Sequence, residues 1–215
     1  GNISYGLRYD QVELDPTKAA DDAGGMMFKT ANEVYTTDYD GTIVATKREY
    51  DNISGFLRFT KDIDHGETYI NLSVNERAPD TTELFHAKWN ASSAMMRHVG
   101  NPNLSSERHM TIEVGYEGML MGNHITGSVY YNDVDDYITT HRKDDSAMKA
   151  RLYKNVDAEL YGYELSVHRL FAGIDTTLNL NYTRGNDETQ NRPLPQIMPL
   201  AGDLTFEIKS ANTNY

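Results

Sequence analysis

The stretch HAKWNASSAMMRHVG, residues 86–100, gathers His86, Trp89, Met95, Met96, Arg97 and His98 within fifteen positions. Thioether and imidazole are the side chains that soft copper ions prefer. Met95, Met96 and His98 are therefore the candidate metal ligands. His86, Trp89 and Arg97, with His109 just downstream, are the candidate contacts for a bound small molecule. The ordinary alternative is that Met and His in such a stretch pack or sit in water. Met26 and Met27 lie in another long connection. Asp21 with Asp22, and Asp133, Asp135 and Asp136, offer calcium-type oxygen ligands, but they lack the EF-hand spacing and read more simply as solvated charge. Glu113 and Glu117 share a strand face and read as solvated wall. No nucleophile–base pair shows an interpretable spacing, so an enzyme is not expected. The NIS, NLS and NAS triplets arise readily by chance in an Asn- and Ser-rich chain.

The elements that must position these groups are strands. Met110, Ile112, Val114 and Tyr116 alternate with Thr111, Glu113, Gly115 and Glu117, the period-2 pattern of a strand with one apolar face. The same alternation runs through 3–9, 70–75, 125–131, 161–167, 178–183 and 204–208. Residues 52–61 join them less cleanly, because Phe56 is out of phase with Leu57 and Phe59. Near Gln11 the phase slips to Val12 and Leu14, which suggests a bulge or the lip of the sheet. About eight strands result, bounded by Gly, Asn, Asp and Pro. No segment sustains a 3.6-residue period, so little helix is expected.

The connections alternate in length. Residues 15–49, 78–104, 139–152 and 186–199 read as long loops, whereas 62–67, 118–123 and 171–173 read as tight turns. In an up-and-down meander successive connections fall at opposite ends, so the long loops gather at one end and the short turns at the other. Outer-membrane barrels have this asymmetry. The apolar face ends in tyrosines (Tyr5, Tyr9, Tyr116, Tyr131, Tyr182), as an interfacial girdle would. The other face carries Asn71, Ser73, Glu113, Glu164, Asn179, Asn181 and Thr183, as a wet lumen would. In this arrangement His109 faces the lumen and Met110 the lipid. The fold class expected is all-β, an antiparallel meander forming a section of a transmembrane barrel.

The totals agree. The formal net charge of −12 argues against nucleic-acid binding, which needs clustered Lys and Arg. There is no cysteine, hence no disulfide and no thiolate metal site. A mean hydropathy of −0.63 leaves no room for an apolar transmembrane helix, but a barrel strand hides its lipid face in alternation.

Several phrases, in order along the chain, resemble the barrel of TonB-dependent outer-membrane receptors. INLSVNERAPDTTELF (70–85) resembles a strand of that family ending in an R-x-P turn. GNPNLSSERHMTIEVGYEG (100–118) is similar to its GNP-x-L-x-x-E phrase, and GSVYYNDVDDYI (127–138), YKNVDAELYGYELSV (153–167) and RPLPQIMPL (192–200) resemble later strands and a Pro-rich loop. The resemblance implies residues 1–215 as a partial barrel without the plug domain. It implies uptake of a scarce metal or metal chelate, copper or a ferric siderophore as cargo, with no resident cofactor. It also implies energy from TonB through the plug, contact with outer-membrane lipid, and a Gram-negative outer-membrane location. The family includes copper-handling receptors, which fits the Met/His loop. Two other readings differ in what they require. A soluble ligand-binding β-barrel needs Met110, Ile112, Val114 and Tyr116 turned into a core. A structural or adhesion barrel needs no small-ligand affinity.

Overall fold

A computed structural model describes residues 1–19, 29–39, 41, 43–87, 97–145, 148–198 and 200–208. Trp89, Met95, Met96, Met26, Met27, Asp21 and Asp22 lie outside them. In chain order the elements are β1 (Asn2–Leu14), α1 (Ala31–Asp38), β2 (Arg48–Ile63), β3 (Gly66–Arg77) and α2 (Thr81–Phe85). Then follow β4 (Arg97–Val99), β5 (Glu107–Leu120), β6 (Asn123–Asp145), β7 (Met148–Phe171), β8 (Ile174–Asp187), β9 (Arg192–Pro193) and β10 (Ala201–Ile208). The main path of the sheet is β1-β2-β3-β5-β6-β7-β8-β10, eight antiparallel strands, and β1 and β10 are its two ends. β4 adds in parallel to β7, and β9 pairs with β8.

Register explains the alternation. Ile3, Phe59, Ile70, Val114, Val129, Tyr163 and Tyr182 are direct partners across seven strands. Tyr5, Leu57, Leu72, Ile112, Tyr131 and Tyr161 make the neighbouring row. These rows cover one face and stay open: Leu72 is 43% exposed, Val114 42% and Val129 58%. Among the described residues nothing packs over them, so Ile112 and Val114 do not line a dry interior there. A band this wide and apolar is stable against hydrocarbon and costly in water. Above it, Asp133 and Glu159 face each other in register, and the Tyr131 hydroxyl donates to Glu159 at 3.2 Å. That contact marks the step from girdle to water.

The opposite face is polar and laced by side chains. The Tyr69 hydroxyl donates to Glu113 at 2.7 Å, under an Arg58 guanidinium 3.6 Å from its ring centre. Tyr130 and Thr183 share a hydrogen bond of 2.6 Å. Each tyrosine reaches its partner by lying across a glycine, Gly115 and Gly162 respectively, where a Cβ would meet the tyrosine. At Gly162 that Cβ would also stand 2.0 Å from the Tyr182 carbonyl, which is backbone and has nowhere to go. Gly162→Ala is therefore expected to cost about 1–3 kcal/mol or more. Gly115→Ala should cost less, because only the Tyr69 side chain must move. Urea midpoints of the two variants check the order.

Two expectations are corrected. Residues 139–152 are mostly not loop: β6 runs to Asp145 and β7 starts at Met148, so one hairpin continues past the apolar band. Alternation weakens there because both faces meet polypeptide. No bulge occurs at Gln11, since β1 pairs with β2 without a break through Leu14↔Arg48. Val12 and Leu14 change face because they leave the apolar band and pack against a buried cluster of Tyr50, Leu84, Leu104 and Ile138. The bulge lies instead between Val134 and Tyr137, with Asp136 at φ 58°. Phe56 is out of phase because it lies on the polar face over Gly6.

Candidate functional site: the folded layer at the long-loop end

The long connections fold. α1, α2, β4 and the upper β6–β7 hairpin enclose three small buried clusters, all clear of the apolar band. Both helices start with capping boxes: Thr30 with Glu33, and Asp80 with Glu83. The phrases quoted above meet in this layer. Arg77, of the R-x-P turn, donates from Nη1 and Nη2 to Glu83 at 2.8 and 3.1 Å, and from Nε to Glu107 at 2.8 Å. Glu107, of the GNP-x-L-x-x-E phrase, also accepts the Ile138 N–H at 2.6 Å and lies 3.4 Å from His109 Nε2. Burial pushes the Glu107 carboxyl up. The His109 and Arg77 hydrogen bonds, the Ile138 amide and the Arg77 charge outweigh burial and hold it at about 2. Gly100 passes so close to Leu84 that a Cβ would sit 2.7 Å from its carbonyl. Pro79, Pro102 and Leu104 are fully buried. Asn155 closes the same corner, accepting from the Ser105 N–H at 2.9 Å and donating to the Asp136 carbonyl at 2.6 Å. These motif residues are structural: they latch the layer onto the strand tops.

A second anchor joins α1 to β4. Arg97 makes a two-pronged ion pair with Asp38, both contacts 2.8 Å, and both side chains are buried. Lys143 Nζ donates to the Asp38 carbonyl at 2.8 Å. The Tyr35 hydroxyl donates to the Phe85 carbonyl, and burial pushes it up to about 12, so it stays a donor. Tyr39 reaches the Val99 and Tyr153 carbonyls, and burial raises it further.

Between β4, the hairpin, α2 and the 188–198 turn lies a polar cavity of about 390 Å³. It is lined by Glu83, His98, Tyr137, Ile138, Thr139, Thr140, Arg151, Tyr153, Pro195 and Gln196. Of the candidate ligand and contact residues that the structure describes, His98 alone borders it. His86 caps α2, its N–H bonded to Thr82 and its carbonyl accepting from Gly100. Arg97 is spent on Asp38. His109 lies on the polar face as expected, with its ring nitrogens near Asn132 and Glu107. Arg151 joins His98 through the parallel pairing of β4 with β7, which no local pattern encodes, and Tyr137 and Tyr153 come from the antiparallel β6–β7 hairpin. Nearby, the buried His141 Nδ1 has no hydrogen-bond partner among the described residues. Burial, then the charge of Lys154, lowers the pKa of His141. Among the described residues, no three His, Asp or Glu converge on a metal-sized site.

Comparison with known proteins agrees with this architecture. The family model of TonB-dependent receptor-like β-barrels matches residues 2–215. No curated protein matches the chain. Among solved structures, the copper transporter OprC superposes with a TM-score of 0.75 at 22% identity, over 97% of this chain and 30% of that one. The ferric-catecholate import receptor Fiu from K12 E. coli gives 0.58 at 15%, over 98% and 30%. The siderophore receptor PirA from Pseudomonas aeruginosa gives 0.57 at 15%, over 77% and 33%. At these identities the likeness is one of fold, and the chain spans about a third of each relative's length. Barrels of this family sit in the outer membrane of Gram-negative bacteria, with the short turns on the periplasmic side. With its family match covering nearly the whole length and its strands in meander order, the chain belongs to the TonB-dependent receptor β-barrel family.

Proposed function

We propose that this chain is a section of the barrel of a larger outer-membrane receptor that imports a metal or metal chelate. The folded layer at the long-loop end forms part of the cargo surface. Transport is driven by the TonB system through a plug domain that the whole receptor supplies. The observation that carries the reading is the polar cavity in the layer, where His98 stands beside Arg151, Tyr137 and Tyr153. Copper is the leading cargo, because His98 stands two residues after Met96 in the sequence and imidazole with thioether suits copper. OprC, named a copper transporter, is among the similar structures. A ferric chelate is the second reading, supported by the guanidinium and two phenols of the same cavity, which suit an anionic aromatic ligand.

Copper titration of the intact receptor separates them. Under the copper reading, Met95→Ala and His98→Ala each weaken binding at least about tenfold. Arg151→Ala leaves copper affinity unchanged. Unchanged copper affinity in both Met95→Ala and His98→Ala removes the copper reading. Loss of ferric-catecholate binding in Arg151→Ala then establishes the second. An intact receptor that binds neither leaves the adhesion alternative.

A further inference from the structure

The opposite end of the polar face carries a row of ligands that no motif announces. Met119 on β5 is the direct register partner of His124 on β6, and His124 is the partner of His168 on β7. One thioether and two imidazoles thus stand side by side on one face, at the spacing of adjacent strands. All three are partly open, Met119 being 50% exposed. The row belongs to the polar face, because it is in phase with Glu117 and Glu113 and out of phase with Tyr116 and Val114.

What surrounds the imidazoles is as informative. Glu117 Oε1 lies 3.6 Å from His124 Nε2, and Asp175 is hydrogen-bonded to His168 Nε2. A carboxylate beside one ring nitrogen orients an imidazole so that the other can face a metal; Asp175 is so placed on His168, and Glu117 stands within ion-pair range of His124. The turn after β2 holds the other side: the Met119 N–H donates to the His65 carbonyl at 2.6 Å. A shallow cavity of about 450 Å³ opens beside Met119 and His124. Asp62, Glu67 and Glu117 line it as successive register partners, a negative wall that concentrates cations.

We infer that Met119, His124 and His168 form a low-coordinate site for a soft monovalent metal ion, copper(I) in chemical class, at the short-turn mouth of the lumen. Two imidazole nitrogens and one thioether sulfur suit a soft, low-coordinate ion better than zinc or calcium. Glu117 and Asp175 are positioning residues. The site stands whatever the outer layer binds.

The test uses the intact receptor in detergent with Ag(I) as the redox-inert probe, in a Met95→Leu, Met96→Leu, His98→Gln background that silences the outer loop. One equivalent of Ag(I) should still bind. Met119→Leu, His124→Gln and His168→Gln should each weaken it at least about tenfold, and Glu117→Gln or Asp175→Asn by about 10- to 100-fold. Zn(II) affinity should change little in Met119→Leu. X-ray absorption of the Cu(I)-loaded background protein should show sulfur and nitrogen neighbours together. Equal Ag(I) affinity in the background protein and in a variant with all three ligands replaced overturns the inference, as does a shell without sulfur. Loss of outer-layer copper binding alone leaves these readings untouched, so the two sites fail separately.

Discussion

Asp38→Ala is expected to destabilise the layer at the long-loop end by about 3–5 kcal/mol, because it leaves the Arg97 guanidinium buried without its carboxylate. The damage should be local. Arg97 sits on β4, three residues long, whose hold on the hairpin is its parallel pairing with β7. The sheet below rests on long antiparallel ladders that do not involve it. Hydrogen exchange should therefore show α1, β4 and the tops of β6 and β7 losing protection while β3 and β5 keep theirs. Exchange lost uniformly from all strands would show that the layer and the barrel wall are one cooperative unit.

Glu107→Gln is the second large effect, about 3 kcal/mol, since one carboxylate serves Arg77, the Ile138 amide and His109. It has a pH signature. The Glu107 carboxyl is held at about 2, below its ordinary 4.5. Its contribution is therefore fully present above pH 4.5 and is lost as the pH falls from there toward about 2. The stability difference between the parent and Glu107→Gln should be constant from neutral pH down to about 4.5 and shrink below it. Comparing the two proteins cancels the other carboxylates. A gap that stays constant through that window would mean that Glu107 acts by shape and not by charge.

The wall of the barrel was legible in the sequence because a strand between lipid and water carries its environment in every second residue. Val114, Ile112 and Leu72 declare their face with no knowledge of their neighbours. The R-x-P and GNP phrases were legible as structure for a related reason: Pro79 and Pro102 are dictated by local backbone, although Gly100 is required by its approach to Leu84. The layer above was not legible. Its hairpin meets protein on both faces, so periodicity fades, and its contacts join residues far apart in sequence, as Arg97 with Asp38 and Tyr39 with Tyr153. His98 was singled out by residue type, but its cavity neighbour Arg151 depends on a parallel pairing that turns and caps do not signal. The Met119–His124–His168 row was hidden likewise, because register across two hairpins brings it together. Where a binding surface is made by pairing, side-chain type alone finds only fragments of it.

A membrane-spanning wall requires that the apolar rows point outward into lipid. The chain has no cysteine, so single cysteines can be placed and spin-labelled one at a time in the receptor reconstituted in lipid. Labels at Leu72, Ile112, Val114 and Leu180 should collide with oxygen dissolved in the bilayer and be shielded from a water-soluble nickel chelate. Labels at Ser73, Glu113 and Asn181 should show the reverse. An alternation of that phase is the predicted result. Labels at Leu72, Val114 and Leu180 shielded from both reagents would place them in a dry protein interior and contradict the account.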